Sequence, residues 1–233
     1  MNSTRLNVFV AKATGLSRRE ADKSIQLGFV SLNDSPVREP FIQVTPTDQV
    51  RYKGELLQAE HSLIYIMMHK PIGIVCTHKA QGADQSIFDL LPAEFESLRF
   101  AGRLDKNSRG LVFLTNDYPL IHKLTHPSFQ VPKTYRVVTD KPIEAQDIAI
   151  LHKGGVLPDG DAWAPVKVLR VQQNRVHMVL REGKKREIRR IMTSLGYHVQ
   201  DLFRYEFADL MLGDLPTGKY RSLTSTEKDR LLT

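Results

Sequence analysis

Asp105 has surroundings that are unusual for a surface carboxylate. It lies in the segment GRLDKNSRGLVFLTND, residues 102–117, between Arg103 and Lys106 and shortly before the apolar run at 111–114. Asp, Asn, Ser and Gly are turn formers, so the segment alone is compatible with a polar surface turn. Nearby cations favour an ionised carboxylate, which can act as a nucleophile or a base. The segment therefore has two interpretations, a turn or a catalytic site.

Several other chemistries have no matching pattern in the sequence. A metal-dependent nuclease needs clustered carboxylates to hold magnesium, and the segment around Asp105 shows no such cluster. The eight histidines lack HExxH or similar ligand spacing, and neither a Walker loop nor GxGxxG is present. The sequence thus predicts neither a metal nor a cofactor.

The strongest electrostatic feature is the segment REGKKREIRRIMTSLG, residues 181–196. Six of the ten residues from 181 to 190 are Lys or Arg. Apolar residues from Ile188 to Leu195 recur at helical spacing and predict a helix with one buried side. A solvated charge run is the usual alternative, but the nearly single sign favours a polyanion site, and we place its contacts on Lys184, Lys185 and Arg186. Arg189 adjoins the edge of the apolar stripe and need not point straight into solvent.

The composition favours an anionic partner and a reducing compartment. The chain has 233 residues, a formal net charge of +7 and a sequence pI near 9.5, which indicates nucleic acid before membrane. Cys76 is the single cysteine, so we expect no disulfide and a cytoplasmic protein. The start of the sequence lacks a secretory pattern, and no apolar run approaches the roughly 20 residues of a membrane span.

Residues 1–60 predict a small basic domain. Helical spacing and a capping box of Ser17 and Glu20 predict two short helices between residues 5 and 27, followed by short strands. Arg18 and Arg19 lie in the first turn of the second helix, where the macrodipole disfavours cations, and Lys23 lies one turn further on the same face. Phosphate binding and a solvated basic face explain this placement equally well. The segment GELLQAEHS, residues 54–62, resembles a linker.

Residues 61–233 predict a larger domain of α+β class. Runs such as LIYIMMHK, LVFLTN, TYRVVTD and VKVLRV are typical of strands, and a hairpin is predicted to turn near Gln173 and Asn174. YPLIHKLTH and PIEAQDIAILHKGG predict helices between them. Neighbouring hairpins with occasional helices favour a mainly antiparallel sheet.

The front domain resembles the small alpha-L RNA-binding domain of the S-four type. The matching residues are RLN at 5–7, SRREAD at 17–22, and the G-x-V-x-L-N pattern at 28–33. This resemblance implies RNA binding through the exposed face of the second helix, which carries Arg18, Arg19 and Lys23.

The larger domain resembles the pseudouridine synthases related to the ribosomal small-subunit synthase A. GRLDKNSRGL is similar to the family's signature loop, and four further segments follow the family in order: HKPIGIV at 69–75, KTY at 133–135, EGKKREIRR at 182–190 and LFRYEFADLML at 202–212. The resemblance implies that Asp105, Tyr135 and Arg189 are catalytic, that Leu202 packs in the site, and that Arg103 fills the gap left by the target base. His69, Glu187 and Ala208 depart from the family pattern.

The resemblance implies isomerisation of a uridine within RNA, without metal or cofactor. The glycosidic bond breaks, the uracil rotates, and a carbon–carbon bond to the ribose forms. The sequence leaves open whether Asp105 acts on the uracil ring, on the sugar carbon or on a sugar proton. Arg189 is expected to pair with Asp105, and Tyr135 to stack on a uridine that has left its stack.

The expected partner is ribosomal RNA or a pre-ribosomal particle, with tRNA as a second RNA, bound by a monomer. RLN, SRREAD, the signature loop and DKPI at 140–143 resemble the large-subunit synthase F branch, which favours large-subunit over small-subunit rRNA. The alternative function is a non-catalytic rRNA-binding assembly factor, which would share the basic surfaces but not the combination of Asp105, Tyr135 and Arg189.

Overall fold

The computed structural model describes residues 3–57, 63–78 and 80–232. It divides into two compact units, Met1–Leu63 and Ile64–Thr233. Most of the segment expected as a linker, residues 58–62, lies outside the described residues, while its first part forms a short strand. None of the described helices is long and apolar enough to cross a membrane.

The first unit packs two helices on a small antiparallel sheet. The helices are α1 (Leu6–Thr14) and α2 (Arg18–Gln26). The strands are β1 (Thr4–Arg5), β2 (Val30–Leu32), β3 (Ser35–Val37), β4 (Gln43–Val44), β5 (Val50–Tyr52) and β6 (Glu55–Leu56), with the sheet order β3-β2-β5-β6 and a separate β1-β4 pair. Leu6, Val10, Ala21 and Ile25 bury the facing sides of both helices in one apolar core.

The predicted boundaries of the two helices are confirmed. Gly15 ends α1 with a φ of 75°, a left-handed conformation that glycine adopts at no steric cost. At the start of α2, the Glu20 N–H donates to the Ser17 hydroxyl at 3.2 Å, and the Ser17 N–H donates to the Glu20 carboxylate at 2.8 Å. This capping box fixes α2 so that Arg18, Arg19 and Lys23 remain exposed.

The second unit is built on one large sheet. The strands of the unit are β7 (Tyr65–Lys70), β8 (Ile74–Val75), β9 (Gln85–Ser86), β10 (Arg99–Ala101), β11 (Arg109–Thr115), β12 (Lys133–Thr139), β13 (Gly155–Val156), β14 (Ala162–Trp163), β15 (Lys167–Gln172), β16 (Arg175–Leu180), β17 (Val199–Phe207), β18 (Leu210–Met211) and β19 (Tyr220–Ser222). The strand order of the large sheet is β15-β16-β12-β17-β11-β7-β19. The small strands β10 and β18 pair with β11 and β17, respectively.

The helices of this unit are α3 (Tyr118–Thr125), α4 (Ala145–Lys153), α5 (Glu187–Ser194) and α6 (Ser225–Leu232), with short 3-10 turns at Ile87–Leu90, Ala93–Phe95 and Pro127–Phe129. The predicted α+β class with a mainly antiparallel sheet is confirmed. The predicted hairpin turn is confirmed between β15 and β16. The helix predicted from the apolar residues between Ile188 and Leu195 is confirmed as α5, and the basic residues before Glu187 form an irregular segment.

The two faces of the large sheet bury different cores because side chains alternate along each strand. The front face carries Met68, Val112 and Tyr135, and its core includes residues of α4 and α5. The back face carries Met67 and Leu111, and its core includes residues of α3 and α6. The same strands therefore present two separate surfaces.

Gly110 lies where β11 and β17 run parallel in the middle of this mainly antiparallel sheet. Its φ is 118°, and a Cβ added there would lie 2.1 Å from the Arg204 carbonyl oxygen. Since that contact involves backbone, no side-chain movement can relieve it. The two strands can approach this closely only with glycine at position 110.

We predict that Gly110→Ala destabilises the second unit by about 4 kcal/mol or more, because the parallel pair must separate. The control is Gly213→Ala, which has a φ of 58° but nothing within 4 Å of an added Cβ. It should cost only about 1 kcal/mol from backbone strain. Thermal unfolding of both variants measures the difference, and similar midpoints would contradict the proposed close approach.

Candidate active site

The Asp105 loop, residues 102–108, connects β10 to β11 and is tied to the segment that follows β7. The Gly73 N–H donates to the Lys106 carbonyl at 2.8 Å. On the other side of Asp105, the Leu104 N–H donates to the Cys76 sulfur at 3.5 Å, and Leu104 is buried in the front core. The loop is therefore held on both sides of a half-buried carboxylate, which restricts where the carboxylate can lie.

Lys70 provides a buried cation beneath this loop. Its side chain has no exposed surface, and its ammonium donates to the Pro71 carbonyl at 2.7 Å and to the Ser108 carbonyl at 2.8 Å. Burial lowers the pKa of Lys70 to about 8, while the nearby Cys76 and Asp105 act in the opposite direction. Because that value is above neutral pH, Lys70 is mostly charged there and holds the end of the loop through its backbone.

Arg204 fixes the other end of the loop. It is almost completely buried, and its guanidinium donates to the Leu111 carbonyl at 2.7 and 2.9 Å and to the Gly102 carbonyl at 2.9 Å. The sequence comparison matched the segment that contains Arg204 but gave the residue no role. The available signal was an arginine inside an otherwise apolar and aromatic run, LFRYEF.

Arg189 reaches the loop from α5. Its guanidinium donates to the Asn107 carbonyl at 2.7 Å and to the Val199 carbonyl at 2.8 Å. Burial and the nearby Arg186 lower the pKa of Arg189, whereas the attraction of Asp105 and Asp201 raises it. The structure thus places Arg189 beside Asp105.

The expectation of a direct pair between Arg189 and Asp105 needs correction. Within the described residues, the hydrogen bonds of Arg189 go to backbone carbonyls, and its charge acts on the carboxylate through space. The physical reason is that buried carbonyls require donors, and the planar guanidinium supplies two of them. The Arg189 Nε is buried and has no hydrogen-bond partner among the residues that the structure describes.

Tyr135 and Leu202 lie on neighbouring strands of the front face. Tyr135 pairs with Arg204 in the β12–β17 register, and Leu202 pairs with Val137. Both side chains are buried in the same core cluster as Leu104, with Tyr135 9% exposed. Packing in this core restricts the motion of the tyrosine ring, and the core also receives Leu104 from the Asp105 loop.

The structure divides the basic run at 181–190 into paired and exposed charges. Arg190 pairs with Asp159 at 2.5 Å and with Asp161 at 2.7 Å. Lys184 pairs with Glu182 at 2.9 Å. Lys185 and Arg186 are exposed, as is Arg103 in the Asp105 loop. The run is therefore not one uniform cationic surface.

The three departures from the family pattern have different surroundings. Glu187 is buried and accepts the Lys184 N–H at 3.2 Å, and burial raises its pKa. His69 lies on the back face, where its Nδ1 contacts the Leu215 carbonyl at 2.8 Å. Ala208 has a φ of 53°, a conformation that favours glycine, which explains why glycine is common there in the family. None of the three alters the contacts that hold the Asp105 loop.

Metal-ligating side chains do not cluster in the described parts of the chain. Across residues 3–57, 63–78 and 80–232, no group of three or more His, Cys, Asp or Glu side chains is arranged to hold a metal ion. The groups that the structure brings together are the Asp105 carboxylate, three buried or half-buried cations that hold its loop, and the ring of Tyr135 in the core that the loop shares.

The family model for RNA pseudouridylate synthases matches residues 64–194. The chain belongs to this family. The match spans most of the second unit and includes the Asp105 loop, Tyr135 and Arg189. The predicted family and the predicted isomerase class are confirmed, and the alternative of a non-catalytic assembly factor is not supported.

Individual relatives match over nearly the whole chain. It is 34% identical over 230 residues to ribosomal small subunit pseudouridine synthase A of Vibrio vulnificus, covering 97% of this chain and 98% of that protein. It is 31% identical to ribosomal large subunit pseudouridine synthase B of Bacillus subtilis, covering 97% and 95%. It is 34% identical to the dual-specificity RNA pseudouridine synthase RluF of Escherichia coli K12, covering 97% and 77%.

A solved structure also matches both units of the chain. The crystal structure of a pseudouridylate synthase aligns with a TM-score of 0.73 and 31% sequence identity, and the alignment covers 98% of this chain and 100% of that one. The expected pseudouridine synthase fold is therefore confirmed.

We predict that Arg189→Met lowers the rate of pseudouridine formation on the order of 100-fold while changing RNA affinity little. The change removes a positive charge that acts on Asp105 and the donors to the Asn107 and Val199 carbonyls, so the loop that carries the carboxylate loses one of its anchors. The measurement is single-turnover release of tritium from RNA that contains 5-tritiated uridine.

The matched control is Arg190→Met, which makes the same change one residue away and breaks only the exposed pairs with Asp159 and Asp161. It should keep a rate of pseudouridine formation close to that of the wild type. An Arg189→Met protein with the wild-type rate would show that Arg189 does not hold the Asp105 loop in its reactive position.

Proposed function

We propose that this protein isomerises uridine to pseudouridine in large-subunit ribosomal RNA, with Asp105 as the catalytic carboxylate. The observation that carries the proposal is the position of Asp105, in a loop held by Lys70, Arg204 and Arg189, whose Leu104 shares a core with the buried Tyr135. A loop fixed in this way holds its carboxylate in one position relative to a bound nucleotide.

The reaction requires no group beyond the chain and the RNA. The bond between the ribose C1′ and uracil N1 breaks, the uracil rotates, and a bond between C1′ and C5 forms, while the C5 proton is lost and N1 gains a proton. An ionised Asp105 can serve this sequence as a nucleophile toward the sugar or the ring, or as the base for a sugar proton. All three roles need the same fixed carboxylate.

The target uridine has to leave its stack, which costs a few kcal/mol. Arg103 is exposed two residues before Asp105, and we assign it to the gap that the uridine leaves. We assign Tyr135 to contact with the displaced base and Leu202 to packing beneath it. Lys185 and Arg186, which remain exposed, contact the neighbouring phosphates, with a smaller contribution from Lys184 because of its pair with Glu182.

The first unit supplies further phosphate contacts. Arg18, Arg19 and Lys23 are exposed on α2, and Arg18 and Arg19 occupy the positive end of the helix dipole, where an anionic partner compensates for their placement. The unit thus adds affinity that is independent of the RNA sequence, while the second unit selects the uridine.

We propose that the protein acts as a cytoplasmic monomer.

Large-subunit rRNA is favoured by the segments RLN, SRREAD and DKPI, which resemble the large-subunit synthase F branch. The relatives include a large-subunit enzyme from Bacillus subtilis. A second candidate substrate is tRNA, because one relative at 34% identity is named a dual-specificity RNA pseudouridine synthase.

The proposal is tested by mapping pseudouridine in rRNA and tRNA from cells that lack this protein. We expect a position in large-subunit rRNA to lose its pseudouridine, and a copy of the wild-type gene to restore it. Asp105→Asn is nearly isosteric but cannot be an anionic nucleophile or base, so it should restore nothing while binding RNA with almost unchanged affinity.

The control is Asp84→Asn, which makes the same change in the partner of Lys106 on the Asp105 loop and should restore the modification. Restoration by Asp105→Asn would overturn the role of the carboxylate. Loss of pseudouridine confined to small-subunit rRNA would overturn the proposed target.

A further inference from the structure

The back face of the large sheet carries an aromatic ring held between two arginines. The guanidinium of Arg109 on β11 lies 4.5 Å from the centre of the Phe203 ring on β17, and that of Arg136 on β12 lies 5.0 Å from it. Asp201 binds both arginines, at 2.8 Å and 3.4 Å. Two guanidinium groups are therefore held in fixed positions before any ligand arrives.

This cluster continues across the sheet as a row of rings and cations. The ring centres of Tyr205 and Phe203 are 6.2 Å apart, and the Tyr205 hydroxyl is 3.2 Å from Nδ1 of His177 on β16. His177 is opposite Arg170 in the β15–β16 register, and Arg170 and Arg175 are exposed. We call Arg109, Arg136, Arg170, Arg175, His177 and Tyr205 the back-face row.

The charge of the back-face row is positive. It has four arginines, while the carboxylates close to it are Asp201, which binds two of them, and Glu206 beside Tyr205. Burial, followed by the charges of Arg136, Arg170 and Arg175, lowers the pKa of His177, which shows that these three cations converge on one imidazole. An anionic ligand would relieve their mutual repulsion.

The row lies on the opposite side of the sheet from the Asp105 site. Tyr135 and Leu202 belong to the front core, whereas Arg136 and Phe203, the next residue of each strand, point to the back. The row therefore cannot hold the uridine that reacts, and the proposed catalytic roles do not explain it.

We propose that the back-face row binds single-stranded RNA. Arginines contact the phosphates, and unpaired bases stack on the rings of Tyr205 and His177 and on the guanidinium planes, as expected for a sheet surface with aromatic and basic side chains. A duplex hides its base faces and would use only the charges. The proposal rests on RNA as the substrate but not on Asp105 as the catalytic group, and it gives the flanking strand a second point of attachment.

The first test locates the RNA on the full-length protein. The probe is an oligocytidylate of roughly 20 nucleotides, longer than common single-strand site sizes, with one photoreactive 4-thiouridine. After crosslinking and trypsin digestion, we expect RNA on the peptides Val176–Arg181 and Tyr205–Lys219, which contain His177 and Tyr205. Crosslinks confined to other peptides would overturn the proposal. The Asp105→Asn protein should give the same crosslinks, which separates this result from catalysis.

The second test measures affinity for the same oligocytidylate without the thiouridine. Arg170→Glu with Arg175→Glu should weaken binding on the order of tenfold at low salt and reduce the salt slope by about 1.4, since each single-strand phosphate contact contributes about 0.7. The control, Lys123→Glu with Lys153→Glu, changes the net charge equally at exposed positions of α3 and α4 and should have little effect. Both double variants should keep the wild-type melting temperature.

An RNA duplex of the same length completes the test. The loss caused by the Arg170 and Arg175 changes should be smaller for the duplex than for the single strand. If the control variant loses as much affinity as the variant with changes at Arg170 and Arg175, binding depends only on net charge. If the Arg170 and Arg175 changes weaken duplex binding more than single-strand binding, the surface binds double-stranded RNA. Either result would contradict the proposal.

Discussion

The active-site geometry depends on hydrogen bonds from buried or half-buried cations to backbone carbonyls of the Asp105 loop. Lys70 binds the Ser108 carbonyl, Arg204 binds the Gly102 carbonyl, and Arg189 binds the Asn107 carbonyl. A tight loop exposes carbonyls that regular secondary structure would have paired, and leaving them buried without donors would cost free energy. Cationic side chains meet this need and also surround the carboxylate with positive charge. The same contacts therefore fix the position of Asp105.

Much of the fold could be predicted from local patterns. The capping box of α2 and the β15–β16 hairpin are each determined by a few adjacent residues, and the structure has both where the sequence predicts them. The resemblance to a known family predicts that the Asp105 loop, Tyr135 and Arg189 belong to one site. The structure places them on one side of one sheet.

The partners of the charged residues could not be predicted, because they depend on contacts between distant segments. Arg190 pairs with Asp159 and Asp161 across a separation of 31 and 29 residues, and Arg189 reaches Asn107 across 82. Neither sequence spacing nor composition states which cation of a basic run faces a carboxylate, a carbonyl or solvent. The anchoring roles of Lys70 and Arg204 were missed for the same reason, since burial of a cation becomes visible only when the sheet is assembled.

The central claim is that buried cations hold Asp105 in its reactive position, and Lys70→Met tests it most directly. The change keeps the apolar stem but removes the donor to Ser108 and Pro71, at a cost of about 2 kcal/mol in stability. The account predicts a much lower single-turnover rate of pseudouridine formation with nearly unchanged RNA affinity, while Lys106→Met on the same loop, an exposed residue, keeps the wild-type rate. A folded Lys70→Met protein that reacts as fast as Lys106→Met would contradict the account.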